Sequence, residues 1–265
     1  MKKMFRNNPD NTSKARQVAA EMVRRFAFRK PEEIVVEDIA MACGVLVAEG
    51  GLRGSEARLV RKNDKGIIRV RADIPEGGRK RFAIAHELGH WKLHSTISQF
   101  YLCSEADIRD YSGSAPEVEA NVFAGELLMP GMLFRPMCRI FEPSFKLIRD
   151  LAEAFGTSLT ATAVRYVEES KESCMVALSD DGKVKWWRAK ESSPGTWIDP
   201  GQKIHQDSAA WECFRDGAMS TKMQRVPTEA WFQDLSHRRR MEVYEQSMKM
   251  GSYPTILTLL WIMEE

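Results

Sequence analysis

The chain has 265 residues, 43% of them hydrophobic and 29% charged, with a formal net charge of +2. That length can bury one large domain or two modest ones, and the composition is ordinary for a globular protein. Charge this close to balance removes any global electrostatic case for nucleic acid, a membrane surface or an acidic partner.

The opening stretch, MKKMFRNNPDNTSKARQ, has basic residues but no apolar run behind them, so it does not read as a secretory signal. The longest apolar run, Thr255 to Met263, is far too short for a membrane span. Cys43, Cys103, Cys138, Cys174 and Cys213 are odd in number, scattered and without a CxxC pair. They read as reduced thiols, and a cytoplasmic protein is expected.

In chain order, residues 12 to 27 carry apolar positions at helical spacing behind Asn11, Thr12 and Ser13 as caps. Val35 to Cys43 reads as a short helix ended by Gly44. Residues 56 to 74 read as a hairpin turning at Asn63-Asp64-Lys65-Gly66. In its second arm Ile68, Val70, Ala72 and Ile74 alternate with Arg69, Arg71 and Asp73. Pro75, Gly77 and Gly78 break that strand, and a helix is expected from about Arg79 through the histidines. A second runs from about Pro116 to Met129 and stops at Pro130. Two amphipathic helices follow, Ser144 to Phe155 and Ser158 to Ser170, separated by Gly156-Thr157.

The character then changes. Cys174 to Ala189 reads as a hairpin with Asp180-Asp181-Gly182 at its tip, and Arg238 to Met250 and Thr255 to Met263 as two further strands. The expected architecture is α+β: a mostly helical first domain with a small sheet over 1–170, and a smaller domain with an antiparallel sheet over 171–265. The second domain holds six of the seven tryptophans: Trp186, Trp187, Trp197, Trp211, Trp231 and Trp261. Several must be core in so small a domain, but six rings leave room for an aromatic recognition or sensing surface.

The stretch IAHELGHWKLH, Ile84 to His94, contains three of the five histidines. His86 and His90 are i and i+4 on the expected helix, so their rings share a face about 6 Å apart at the base and can hold one ion. Neutral imidazole suits zinc, and Glu87 stands where it can move a proton beside the open coordination position. This HExxH spacing is that of zinc metallopeptidases. The competing reading is a surface helix with incidental histidine and glutamate. His94 lies about 12 Å further along the axis than His86, too far to join the same ion. It reads as a group supporting a ligand, a substrate-side residue, or a polar helix end. On the next helix Glu117 and Asn121 share a face, while Glu119 points nearly opposite. Glu117 is the favoured third ligand, with Asn121 orienting His86. Glu119 is the rival ligand, or otherwise an exposed carboxylate.

HELGH, His94 and the run ExEANxFAxELLMP from Glu117 to Pro130 resemble the ImmA/IrrE family of zinc metallopeptidases. The resemblance extends over about residues 12 to 170, including Lys80-Arg81-Phe82 and the helix pair after LLMP. It implies a gluzincin-like peptidase domain, zinc on His86, His90 and Glu117, and Glu87 as general base. It also implies a cytoplasmic bacterial or phage protein whose partner substrate is a helix-turn-helix transcriptional repressor, cleaved to relieve repression. Some members carry a GAF-like sensor after the peptidase domain.

Two other readings compete. Asp150 to Thr160 has helix-turn-helix spacing within residues 144–170, but the would-be recognition helix offers only Arg165 before Glu168 and Glu169, which phosphates would repel. Direct nucleic-acid binding is therefore not expected, and His237-Arg238-Arg239-Arg240 reads as a solvated strand face. A protein-binding regulator with a zinc site and no peptidase activity is the remaining alternative. For peptide hydrolysis, Ile67 to Ile74 is expected to be an edge strand that receives substrate, with Arg81, His94, Tyr101 and Tyr111 as candidate oxyanion donors.

Overall fold

A computed structural model of the protein describes residues 9–94, 114–190, 197–217, 219–232, 241–251 and 255–264. The described residues fall into two compact units. One comprises Met1–Phe134 and Ala152–Ser158, the other Arg135–Leu151 and Leu159–Glu265. The class is α+β, with eight α-helices and two sheets among the described residues. The two helices expected within 144–170 are shared between the units, whereas their sequence pattern groups both with the first part.

The first unit begins with α1 (Pro9–Phe26) and α2 (Val36–Ala42), continues through a three-stranded sheet, and reaches α3 (Gly77–Leu93) and α4 (Ala115–Leu128). The sheet is β1 (Val45–Gly50), β2 (Ala57–Lys62) and β3 (Lys65–Arg71), in the order β1-β3-β2. β2 and β3 form the expected hairpin, with Asn63 at positive φ in the tight turn. β1 runs parallel to β3, with Val45 opposite Gly66 and Gly50 opposite Arg71. The expectation that the arm from Ile67 is an edge strand is corrected here. β3 ends at Arg71 and is central, with both backbone edges paired. The edges belong to β1 and β2.

Gly66, Ile68 and Val70 of β3 are buried on the face toward α3. There the Trp91 ring packs against Gly66 so closely that a Cβ would lie 3.0 Å from it. The Trp91 indole donates to Cys43 O at 3.2 Å, and the Arg61 guanidinium lies 3.8 Å from its ring centroid and donates to Trp91 O. These contacts fix the C-terminal end of α3 against the sheet.

Helix α3 is not a surface helix. Phe82 to Trp91 are buried without a break, as in a helix surrounded by its own core. It crosses α4 closely because position 89 is glycine: a Cβ there would sit 3.1 Å from both Ala120 Cα and Phe123 Cδ1.

The second unit contains α5 (Gly131–Cys138, apart from its first turn), α6 (Phe145–Phe155, in its earlier part) and α7 (Leu159–Glu169). Its five-stranded antiparallel sheet has the order β5-β4-β8-β7-β6. The strands are β4 (Cys174–Asp180), β5 (Lys183–Ala189), β6 (Gln224–Val226), β7 (Met241–Lys249) and β8 (Thr255–Glu264). α8 (Ala209–Asp216) starts at Ser208, whose side chain accepts from Trp211 N–H, and ends at Gly217 in the left-handed conformation. Trp231, Phe232, Ile198, Leu260 and Val243 are among the core residues of this unit. Cys138, Cys174 and Cys213 are buried free thiols, and desolvation pushes Cys138 up to about 12. No helix among the described residues is long and apolar enough to cross a membrane. Cys103, Tyr101, Tyr111 and the run His237 to Arg240 lie outside the described residues.

Candidate metal centre

His86, Glu87 and His90 occupy the middle of α3 and are 0%, 0% and 3% exposed. Burying three ionisable groups in one helix is costly unless each is partnered. The partners come mainly from α4. His86 Nε2 is 3.1 Å from Glu117 Oε2 and 3.1 Å from His90 Nε2, and His90 Nε2 is 3.4 Å from Glu117 Oε1. A tetrahedral ion about 2.0–2.1 Å from each donor requires donor separations of about 3.3–3.4 Å. The triangle has the size and the nitrogen and oxygen donors such an ion takes. Among the described residues these three form the group of histidine, cysteine and carboxylate side chains able to hold a metal.

The electrostatics follow from the same contacts. Burial pushes the Glu117 carboxyl up, but its hydrogen bonds with His86 and His90 outweigh that and hold it well below the ordinary carboxylate range. Burial pulls His86 down, but the bond to Glu117 and the charges of Glu87 and Glu117 raise it above the ordinary imidazole value. For His90 desolvation wins, and its pKa is lowered. The pocket thus favours an ionised Glu117 with a positive charge between it and the rings.

The other expected site residues are also placed. Asn121 Oδ1 lies 2.9 Å from His86 Nδ1 and accepts its proton, so Nε2 is the nitrogen turned toward Glu117 and His90, protonated where it donates to Glu117 and free of its proton only when a metal takes that place. Glu87 Oε2 accepts from the backbone N–H of Leu59 in β2 at 3.0 Å. His94 does not reach the triangle; its Nδ1 lies 2.9 Å from His90 Nδ1. Glu119 is neither a ligand nor an exposed carboxylate. Its side chain is 14% exposed, and its Oε2 lies 3.1 Å from His94 Nε2. Sequence periodicity missed that pair because His94 sits just past the helix with φ −119° and ψ 48°, off the helical path on which the spacing argument rests.

Of the candidate oxyanion donors, Arg81 is corrected. Its guanidinium donates to the backbone carbonyls of Ile34, Phe155 and Gly156, which ties the segment before α2 to the end of α6 and turns it from the metal centre. His94 is engaged between His90 and Glu119. The edge of β2 is the segment that periodicity did not single out. Arg71 N–H donates to Glu56 O, so with this register Glu56, Arg58, Val60 and Lys62 direct their backbone groups at β3. Ala57, Leu59 and Arg61 direct theirs away from it, at the edge where Glu87 is bound.

A family model described as the IrrE N-terminal-like domain, Peptidase_M78, matches residues 40–166. Among solved structures, a Mycobacterium tuberculosis transcriptional regulator is similar with a TM-score of 0.57 at 15% identity, over 96% of this chain and 90% of that one. At that identity the likeness is one of fold. No curated protein matches the sequence.

Proposed function

From the match of residues 40–166 to the IrrE N-terminal-like domain of the Peptidase_M78 type, we propose that the chain is a zinc-dependent endopeptidase acting on a protein partner. The observation that carries this reading is the buried triangle of His86, His90 and Glu117 with Glu87 beside it. A structural zinc site fills its four positions with protein ligands, chiefly cysteine. Three ligands, none of them cysteine, suit a site that keeps a position for reactants.

A zinc ion held by His86, His90 and Glu117 supplies Lewis acidity, polarising a carbonyl and making water a stronger acid. Asn121 orients His86. Glu87, anchored through Oε2 to Leu59 N–H, takes the proton from the attacking water and delivers it to the leaving amine. The outward-facing backbone of Ala57 and Arg61, with the carbonyl of Leu59, receives the substrate as an added strand, next to the carboxylate that acts on it. This replaces β3, which is central in the sheet.

The substrate proposed is a helix-turn-helix repressor, with cleavage relieving repression in the cytoplasm. The similar mycobacterial structure is named a transcriptional regulator, which supports a regulatory setting. Direct DNA recognition by α7 is disfavoured: Ala161 to Val167 are all buried, and Arg165 is 3% exposed and paired with Glu169 at 2.9 Å. Residues 171–265 are proposed to recognise the partner or a signal. Trp197 is the support, 48% exposed with its ring edge-on to Trp187. The test is incubation of the zinc-loaded protein with the helix-turn-helix protein encoded beside it. Cleavage at one site, abolished by a chelator and by Glu87→Gln, is expected; an intact repressor with the loaded protein would overturn the reading.

A further inference from the structure

We propose that Glu119 and His94 form a positioning relay that fixes the imidazole tautomer of His90, so that α4 sets both histidine ligands as well as supplying the third. The inference rests on the metal-site reading above and assigns a role to Glu119, which the spacing leaves as a rival ligand or a surface carboxylate.

Three groups stand in line and lead to the triangle. Glu119 Oε2 is 3.1 Å from His94 Nε2, His94 Nδ1 is 2.9 Å from His90 Nδ1, and His90 Nε2 faces Glu117 and His86. A hydrogen bond between two ring nitrogens needs one N–H and one lone pair. If His94 donated from Nδ1, its Nε2 would be bare and would face the lone pairs of Glu119. His90 would then carry its proton on Nε2, the atom that must be bare to bind a metal. If His90 donates instead, each contact has one donor and one acceptor: His90 Nδ1–H to His94 Nδ1, and His94 Nε2–H to Glu119 Oε2. A carboxylate at position 119 therefore selects, two rings away, the tautomer in which His90 is a ligand.

The burial suits a relay. The His94 and Glu119 side chains are 8% and 14% exposed, so water competes little for either bond. The bond from an imidazole to a carboxylate is charge-assisted and makes the partner ring a better acceptor. His86 receives the same service in one step from Asn121. Positions 117, 119 and 121 thus divide the tasks: Glu117 points into the triangle, Asn121 orders His86, and Glu119 orders His90 through a histidine that has left the helix.

The experiment uses the full chain, with zinc alone as the probe. Long-range proton–nitrogen correlation spectra of the zinc-loaded protein, labelled with nitrogen-15 histidine, should show His94 protonated on Nε2 and bare on Nδ1. Zinc affinity, measured by competition with a chelator, should fall about 10–100-fold in Glu119→Gln, whose amide can donate to His94 Nε2 and release the alternative tautomer. Glu119→Asp should recover part of that loss. A His94 ring protonated on Nδ1 in the wild-type protein overturns the relay, and this measurement stands even if the variants fail to fold. Wild-type zinc affinity in a folded Glu119→Gln protein overturns it equally. If the wild-type protein binds zinc no more tightly than Glu117→Gln, it is the metal-site reading that fails.

Discussion

The backbone N–H of Leu59 in β2 donates to Oε2 of Glu87 in α3 at 3.0 Å. The carboxylate proposed to move the proton is thereby held by the edge strand proposed to bind the substrate. One hydrogen bond couples the position of the peptide to that of the base.

Glu87→Gln is expected to retain fold and metal, because the amide oxygen can still accept from Leu59. Cleavage should fall by about 10²–10⁴, the range for losing a positioned acid/base. Glu87→Ala should in addition destabilise the unit by about 1–3 kcal/mol by leaving a buried N–H without its acceptor. Proteolysis rates and thermal melts of the two variants check both statements. Near-normal cleavage by Glu87→Gln would remove Glu87 from the mechanism.

The purified protein should carry about one zinc ion, with half of a tetrahedral site from His86 and His90 and a third donor from Glu117. Elemental analysis of a His86→Ala, His90→Ala double variant and of Glu117→Gln should show the metal gone, while Glu119→Gln still loads at saturating zinc. Metal kept by Glu117→Gln and lost by Glu119→Gln would exchange the roles of the two carboxylates.

Proton and metal compete for the same donors, which gives the site a definite pH signature. The folded-state pKa of His86 is raised above its ordinary value of 6.5. Its contribution to the stability of the metal-free protein is therefore fully present below 6.5 and is lost as pH rises through the raised folded value. Zinc requires the bare nitrogen, so its stabilisation grows over that same interval. The difference in melting temperature with and without zinc should widen as pH rises from about 6 to 8. A difference that is constant or shrinks across this interval contradicts competition at His86.

Much of this was legible in the sequence, for local reasons. The i, i+4 spacing of His86 and His90, and of Glu117 and Asn121, needs only helical geometry, and the two helices are marked by their breakers: Pro75, Gly77 and Gly78 before the first, and Pro116 and Pro130 around the second. The β2–β3 hairpin was equally local. What was not legible depends on contacts distant in sequence or on departures from regular geometry. β1 was missed because its parallel pairing with β3 has no turn to signal it, and Leu46 is exposed within it. β3 looked like an edge only because that partner was unseen. α8 was missed although Ser208 and Gly217, a good cap at each end, were readable. Glu119 was misjudged because helical angles place it away from Glu117, and its partner is reached only once His94 has left the helix.

Gly89→Ala tests the close crossing of α3 and α4. Alanine gains about 1 kcal/mol over glycine in helix propensity. Its Cβ would stand 3.1 Å from the Ala120 backbone, and overpacking a tight core costs about 1–3 kcal/mol. The contact is with backbone, which yields less readily than a side-chain end, so net destabilisation is expected. The helices must separate to admit the methyl group, so zinc should bind more weakly as well. Equal or higher stability with unchanged zinc affinity would show that glycine is not required there.

A chain cut after residue 170 should fail to fold as a soluble protein. α7 buries Ala161 to Val167 within the second unit, packed against β4 and β5, which the cut removes. The backbone N–H of Phe145 at the start of α6 donates to Gln246 in β7 at 2.8 Å, and that acceptor would also be lost. Tyr166, fully buried and with its phenol pushed by desolvation well above its ordinary pKa, would face water along with Val164 and Val167. An apolar surface of that extent on a monomer is an aggregation liability. Size-exclusion chromatography and circular dichroism of the truncated chain are the measurements. A monodisperse, helical product that holds zinc would show that α5 to α7 do not depend on the sheet of residues 171–265.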